Sequence, residues 1–113
     1  MSDNKTTIGL TGENKEVIQR LLPHFNEQRD AAKFAMALSM KQGHDPDQIT
    51  GTETVWNTGS FDPDGKLRDL LYALYPSVQN PYIAIEYFVN QGLQQLSVHL
   101  DENRDLDILE IIE

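Results

Sequence analysis

Apolar spacing in the first part of the chain predicts a short strand followed by two helices. Residues 6–10 alternate polar and apolar side chains, which is typical of a short strand. Thr11 is a favourable N-cap, and residues 13–22 carry an aliphatic stripe at helical spacing. A second helix is predicted to begin near Asn26, where apolar residues recur at helical spacing, and to end at Gly43.

Residues 44–61 are rich in turn-forming residues and predict a long loop. A loop of this length in a small domain usually has a role of its own. Trp56 and Phe61 are its large aromatic residues, and one interpretation is that they pack the loop against the core. The alternative interpretation is that Trp56 lies in a binding site for a partner protein.

Two more helices are predicted in the second half. Asp62-Pro63 and Asn80-Pro81 each place an N-capping side chain before a proline at the first helical position. The second of these helices has a broad apolar face, and Gly92 lies on that face, where it would allow a close helix crossing. The first has a complete apolar face, made by Leu67, Leu70, Leu71, Leu74 and Tyr75.

Residues 101–113 form an acidic and aliphatic tail, with six acids and one base. Five large aliphatic residues need burial, either within this chain or its homodimer or against a partner protein. Their spacing does not decide between a strand, a helix and a docking peptide. They are Leu106, Ile108, Leu109, Ile111 and Ile112.

The length of 113 residues fits one domain with its own core. The predicted fold over 1–113 is mostly α, a bundle-like domain of four to five helices with a short N-terminal strand. We expect that strand to pair with its copy across a two-fold axis, which would form a homodimer. The strand and first two helices take up 1–43, the loop 44–61, a helical pair 62–100 and the tail 101–113.

The chain carries 18 acidic and 9 basic residues, a net charge of −9. The excess of acidic residues lies in residues 45–113, which contain thirteen acids and three bases, whereas residues 1–44 contain five acids and six bases. Such a surface disfavours binding to nucleic acid or to an anionic membrane. The absence of cysteine excludes disulfides and thiolate chemistry. With no signal peptide and no long apolar stretch, we expect a cytoplasmic protein without a membrane partner.

The sequence offers little catalytic or metal-binding chemistry. The three histidines lie in different segments, and neither a nucleophile elbow nor a glycine-rich phosphate loop is present. Residues 44–47 and 62–65 group acidic side chains, but a calcium loop starting at Asp62 fails because Lys66, Leu67 and Ala73 occupy required ligand or glycine positions. We therefore expect no enzyme activity, no cofactor and no metal site.

The order strand, helix, turn, helix over residues 6–40 resembles that of ribbon-helix-helix proteins. In that family two chains pair their strands and insert the ribbon into the major groove of DNA. The outward-facing strand residues here are not the Arg, Lys, Asn or Gln that read base edges. The resemblance implies DNA contacts by Lys5, Thr7, Gly9, Thr11 and Arg29.

A wider resemblance covers roughly residues 30–100. The segments FAMALSMKQG (34–43), LRDLLYALYP (67–76) and IEYFVNQGLQQL (85–96) are similar to small proteins associated with bacterial DNA phosphorothioation, the Dnd sulfur-modification systems. This resemblance implies an accessory protein of a DNA-modification system, without catalytic residues.

The sequence therefore predicts a non-catalytic accessory or regulatory protein that acts through protein–protein interaction, in a bacterial DNA-modification or defence system. The alternative is a ribbon-helix-helix-like, DNA-binding transcriptional regulator. Protein partners and a homo-oligomer are expected. The candidate partner-binding residues are Trp56, Phe61, Leu106, Ile108, Leu109 and Ile112.

Overall fold

A two-stranded antiparallel sheet and five helices make up the part of the chain that the computed structural model describes, residues 5–43 and 45–103. The mostly α fold predicted from the sequence is confirmed. In chain order the elements are β1 (Thr7–Thr11), α1 (Gly12–Leu21), α2 (Gln28–Lys41), β2 (Thr52–Asn57), α3 (Thr58–Phe61), α4 (Lys66–Leu74) and α5 (Pro81–Asn103).

The boundaries of α1 follow the predicted capping chemistry. The Thr11 hydroxyl accepts a hydrogen bond from the backbone N–H of Asn14 at 3.2 Å, which satisfies one of the free donors of the first turn. α1 ends at Leu21, and a single 3-10 turn with Pro23 inside it, Leu22–His24, leads towards α2.

The centre of the core is the crossing of α2 and α5, and the close approach predicted at Gly92 is present. A Cβ atom built on Gly92 would lie 1.8 Å from the carbonyl oxygen of Ala35, so only glycine fits there. The Ser39 hydroxyl donates to the carbonyl oxygen of Phe88 at 2.6 Å across the same crossing. The small residues of α2 on this side are completely buried: Ala31, Ala32 and Ala35.

Residues 52–61, predicted as part of a loop, form β2 and α3 instead. β2 pairs with β1 antiparallel, in a register that joins Thr7 to Asn57 and Ile8 to Trp56, with an irregularity after Ile8. The β-branched and aromatic residues of β2 suit a strand, but the turn residues around it obscured that signal. β1 thus pairs within its own chain, and not with a second copy as the sequence analysis expected.

The other edge of β1 is covered by side chains of α5. The N–H of Gly9 donates to Glu86 Oε2 at 2.8 Å, and the N–H of Thr11 donates to Asn90 Oδ1 at 3.1 Å. Asn90 Nδ2 donates back to the carbonyl oxygen of Gly9 at 3.0 Å. Because both edges of β1 are satisfied at these residues, a second chain has no free backbone groups to pair with there.

α4 begins later than the Asp62-Pro63 pair predicted. The Asp62 carboxylate reaches forward across a turn and accepts hydrogen bonds from the N–H groups of Leu67 at 3.0 Å and Arg68 at 3.1 Å. Gly65, with φ of 71°, makes the left-handed step into the helix. Asp62 therefore caps α4 as expected, but from outside its first turn.

Candidate functional site

The most prominent apolar surface among the described residues lies on α4. Leu70 is 42% exposed and Leu74 is 54% exposed, and they are neighbours at i and i+4 on one side of the helix. We call this pair the leucine face. Of the other large apolar side chains that the structure describes, Tyr72 on α4 and Val98 on α5 are the ones similarly exposed.

The leucine face is exposed because α4 is covered from one side only. Leu71 is fully buried, and the Tyr75 ring just after the helix stacks on Phe88 of α5 at a centroid distance of 5.6 Å. Among the described elements, α5 is the one against which α4 packs extensively. The apolar stripe predicted for this helix is present. Of its four leucines, however, only Leu71 is fully buried, and Leu67 is partly buried.

A cleft of about 240 Å³ opens on the other flank of α4. At its edge the Tyr82 hydroxyl donates a hydrogen bond to Asp62 Oδ2 at 2.9 Å. Burial, together with this hydrogen bond and the charge of Asp62, raises the pKa of Tyr82 above its ordinary value. We call this cleft the tyrosine cleft. It is lined by Lys5, Arg68, Tyr72, Asn80, Pro81 and Tyr82.

The cations of the tyrosine cleft already have carboxylate partners. Lys5 Nζ lies 3.2 Å from Oε2 of the buried Glu86, and Arg68 Nε lies 3.3 Å from Asp69 Oδ1. The hydrogen bond to Asp69 raises the pKa of Arg68. Because its charges are balanced, the cleft is better suited to contacts with a protein segment than to holding a free anion. In the described ranges no group of three or more His, Cys, Asp or Glu side chains could hold a metal ion.

The aromatic residues predicted for partner binding have a structural role. Phe61 is completely buried, so its assignment to a binding surface is wrong. The partly buried Trp56 packs on Phe61 with ring centroids 5.2 Å apart. From α2, Lys33 Nζ lies 5.5 Å above the Phe61 ring, and Arg29 donates to the carbonyl oxygen of Ser60 at 2.6 Å. These contacts fasten α3 to α2, as the first interpretation of the aromatic pair expected.

The residues that the ribbon-helix-helix resemblance assigns to DNA are engaged within the chain. Lys5 pairs with a buried carboxylate of α5, and Thr7 pairs with a residue of β2. Gly9 is buried, and a Cβ atom there would lie 2.8 Å from a backbone oxygen of β2. Thr11 caps α1, and Arg29 contacts α3 and a neighbouring carboxylate at 2.8 Å. The structure does not test DNA binding itself, which stays a prediction.

The tail residues predicted to bind a partner lie outside the described residues, as does His44. They are Leu106, Ile108, Leu109 and Ile112.

The sequence analysis missed the leucine face because it described one complete apolar face for this helix and did not divide it into buried and exposed leucines. The signal that could have separated them is the length of the helix. A helix of nine residues bounded by turns has few neighbours to cover a stripe of four leucines.

No protein-family model matches the chain, and no curated protein or solved structure matches it either. None of the described helices has both the length and the apolar character needed to cross a membrane. The function is therefore inferred from the leucine face and its surroundings.

Proposed function

We propose that the protein is a non-catalytic accessory or regulatory protein that acts by binding another protein molecule through the leucine face of α4. The observation that carries this proposal is the exposure of two adjacent leucines, Leu70 at 42% and Leu74 at 54%. Apolar area left in water is unfavourable by roughly 25 cal/mol per Å², and a protein partner would remove it from water.

The tyrosine cleft, on the other flank of α4, also suits contacts with a protein. Tyr72 and Tyr82 border the tyrosine cleft together with Arg68, and Tyr and Arg are enriched among residues that dominate binding energy. The charges of the cleft are paired within the chain. The balance of charge gives the surface no preference for a phosphate backbone, which supports a protein partner over DNA.

The cellular setting is proposed from the sequence resemblance. The segments of α2, α4 and α5 are similar to small proteins associated with DNA phosphorothioation systems. An accessory protein of a DNA-modification or defence system would need a binding surface and no catalytic residues, which agrees with the leucine face.

The test places a photo-crosslinking amino acid at position 70 in cells, with the same probe at position 98 as the matched control. Leu70 and Val98 are both exposed aliphatic residues, at 42% and 58%, but they lie on different helices. We expect a protein adduct from position 70 and none from position 98.

The crosslinked protein is then purified and its binding reconstituted. Leu70→Asp with Leu74→Asp should abolish binding, whereas Val98→Asp should leave it unchanged. Equal binding by both variants, or no adduct at position 70, would overturn the proposal. Duplex DNA titrated at low salt should show no binding, and salt-sensitive binding lost in Arg29→Ala would favour the DNA-binding regulator instead.

A further inference from the structure

We infer that the free edge of β2 binds an extended, basic segment of another protein, which adds to the sheet as a third strand. This surface is separate from the leucine face, so the inference goes beyond the proposed function and does not depend on it. It follows from the direction of the backbone groups in the sheet, from a groove beside the strand and from the charge along it.

The direction of the backbone groups in β2 follows from those in β1. Successive residues of an antiparallel strand point their N–H and C=O groups alternately to its two sides. The N–H groups of Gly9 and Thr11 donate to side chains of α5, so the backbone groups of Leu10, between them, face β2. Leu10 pairs with Glu53, and the backbone groups of Glu53 therefore face β1.

Thr52 and Thr54, on either side of Glu53, direct their N–H and C=O groups away from β1. We call this stretch, residues 52–54, the outer edge of β2. Among the described residues no further strand lies beyond it and no backbone hydrogen bond reaches it from a loop. Glu53 and Thr54 are exposed, so the edge is accessible. Unpaired N–H and C=O groups in a row are a template for another strand, as in the recognition of peptides by strand addition.

A groove of about 350 Å³ lies beside the outer edge. Thr54 and Val55 line it from β2, and the buried Leu10 and Ile18 give it apolar walls. Because Glu53 and Leu10 are cross-strand partners, their side chains lie on the same face of the sheet. A residue opposite Glu53 in the added strand would point to that face, where an aliphatic side chain fills the groove.

The charge along this stretch selects the partner. Residues 45–57, which lead into β2 and include it, contain three acids and no base. Lys15 of α1 compensates one of them, with its Nζ 3.4 Å from Glu53 Oε1, while Asp45 and Asp47 are exposed. Basic residues in the added strand would complement these acids. Residues 104–113 of the chain itself, with four acids and one base, have the wrong charge for this position.

A second copy of β2 fits the outer edge poorly. Thr52 and Thr54 of both copies can all pair only in the antiparallel register that places Thr52 opposite Thr54 of the other copy. In that register Glu53 lies directly opposite Glu53 of the other copy, and like charges in this position destabilise a sheet. The occupant is therefore a segment of a different protein.

The experiment titrates the full, isotope-labelled chain with a synthetic peptide of alternating valine and threonine that carries lysine at both ends. Amide hydrogen exchange, measured by NMR, locates the bound peptide. We expect the N–H groups of Thr52 and Thr54 to exchange at least about tenfold more slowly in the complex, because they become hydrogen-bonded. The same peptide with glutamate in place of lysine should bind more weakly.

Matched peptides test whether the backbone makes the contact. Methylating the backbone nitrogens of every second residue removes the hydrogen bonds if those residues face the edge, and leaves them if they face away. One of the two alternately methylated peptides should therefore lose binding and the other should keep it, although their side chains are identical.

Matched variants test the same contact on the protein. Thr54→Pro removes one outward N–H, and proline is tolerated on an edge strand where the N–H faces solvent. It should weaken binding about tenfold, whereas Thr54→Val, which keeps the N–H, should bind as the unaltered chain does. A leucine-face variant with Leu70→Asp and Leu74→Asp should also bind normally. Circular dichroism checks that each variant is folded.

Absence of binding, binding without slower exchange at Thr52 and Thr54, or equal binding of both methylated peptides would each overturn the inference. Equal binding by Thr54→Pro and Thr54→Val would do the same, as would stronger binding of the glutamate peptide. Loss of binding in the leucine-face variant would place the site on α4 instead.

Two further outcomes would identify a different occupant and so also overturn the inference. A dimer of the unaltered chain, measured by light scattering, that Thr54→Pro converts to monomers would identify a second copy. Slow exchange at Thr54 in the free chain that is lost when residues 104–113 are deleted would identify the end of the same chain.

Discussion

The α2–α5 crossing and the packing of α4 on α5 use apolar stripes of similar spacing with opposite results. α2 brings alanines to the contact, and Gly92 of α5 lies against the backbone of Ala35. α4 brings leucines, of which only Leu71 is fully buried. Small residues let two long helices approach until their backbones touch, which excludes water along the contact. A short helix such as α4, with large side chains and one main neighbour, is covered only on the side that faces this neighbour. The same hydrophobic pattern is therefore buried at the α2–α5 crossing and partly exposed on α4.

The largest effect is expected where the backbones touch. In Gly92→Ala the new methyl group would lie 1.8 Å from the Ala35 carbonyl oxygen, so α2 and α5 must move apart. We expect the free energy of unfolding to fall by more than about 3 kcal/mol, measured by urea denaturation. Gly59→Ala is the control, because nothing lies within 4 Å of a Cβ atom there. A Gly92→Ala protein as stable as the control would show that the crossing is looser than described.

Leu71→Ala and Leu74→Ala divide α4 into its buried and exposed sides. Leu71 is 0% exposed, and its truncation should lower the free energy of unfolding by about 2–5 kcal/mol, since it leaves a cavity. Leu74 is 54% exposed, and its truncation should change that free energy by less than about 0.5 kcal/mol. Thermal melts of both variants at a concentration where the chain is monomeric provide the comparison. Equal losses would mean that the leucine face is part of the core.

Asn90→Leu tests whether polar contacts fix β1 against α5. Asn90 accepts hydrogen bonds from Thr11 and from Asn14 Nδ2, at 3.1 and 2.8 Å, and it donates to Gly9. Leucine leaves the Thr11 N–H and the Gly9 carbonyl without these partners, whereas Asn14 Nδ2 keeps its hydrogen bond to the backbone carbonyl of residue 90. We therefore expect a loss of about 2–3 kcal/mol and faster amide hydrogen exchange in β1. The exposed Gln94→Leu should change neither quantity. Unchanged exchange in Asn90→Leu would mean that β2 and Glu86 hold the strand without Asn90.

Tyr82→Phe is expected to have a small effect on stability, with a characteristic pH dependence. It removes the hydrogen bond to Asp62 at the start of α4, which should cost about 1 kcal/mol at neutral pH. Because the pKa of Tyr82 is raised in the folded protein, its contribution is complete below the unfolded value of about 10. That contribution is lost as the pH rises through the folded-state pKa.

The difference in unfolding free energy between the native chain and Tyr82→Phe should therefore narrow above about pH 10. Urea denaturation at a series of pH values measures it. Tyr72→Phe removes a tyrosine hydroxyl on the exposed side of α4 and is the control. A difference that stays constant to high pH would contradict the assigned hydrogen bond.

The helices and their boundaries were largely predictable from the sequence. Which elements pack against each other was not. Thr11 as a cap, the stop near Pro23 and the small-residue site at Gly92 follow from side-chain chemistry that acts over a few residues. β2 was missed because its stabilising contacts are with β1, whose paired residues lie 41 to 50 positions earlier in the chain. Phe61 was named both as a core residue and as a candidate for partner binding, because its burial depends on α2, about thirty residues earlier in the chain.

The sequence by itself determined the mostly α content, the capped helix starts and an acidic second half without thiol chemistry, since these depend on composition and short-range spacing. Only the tertiary structure decided which leucines of α4 are covered, and that β1 is enclosed between β2 and the side chains of Glu86 and Asn90. The physical reason is that burial belongs to a pair of surfaces. Periodicity specifies which side of an element is apolar. Only the packed chain specifies whether a neighbouring element covers that side.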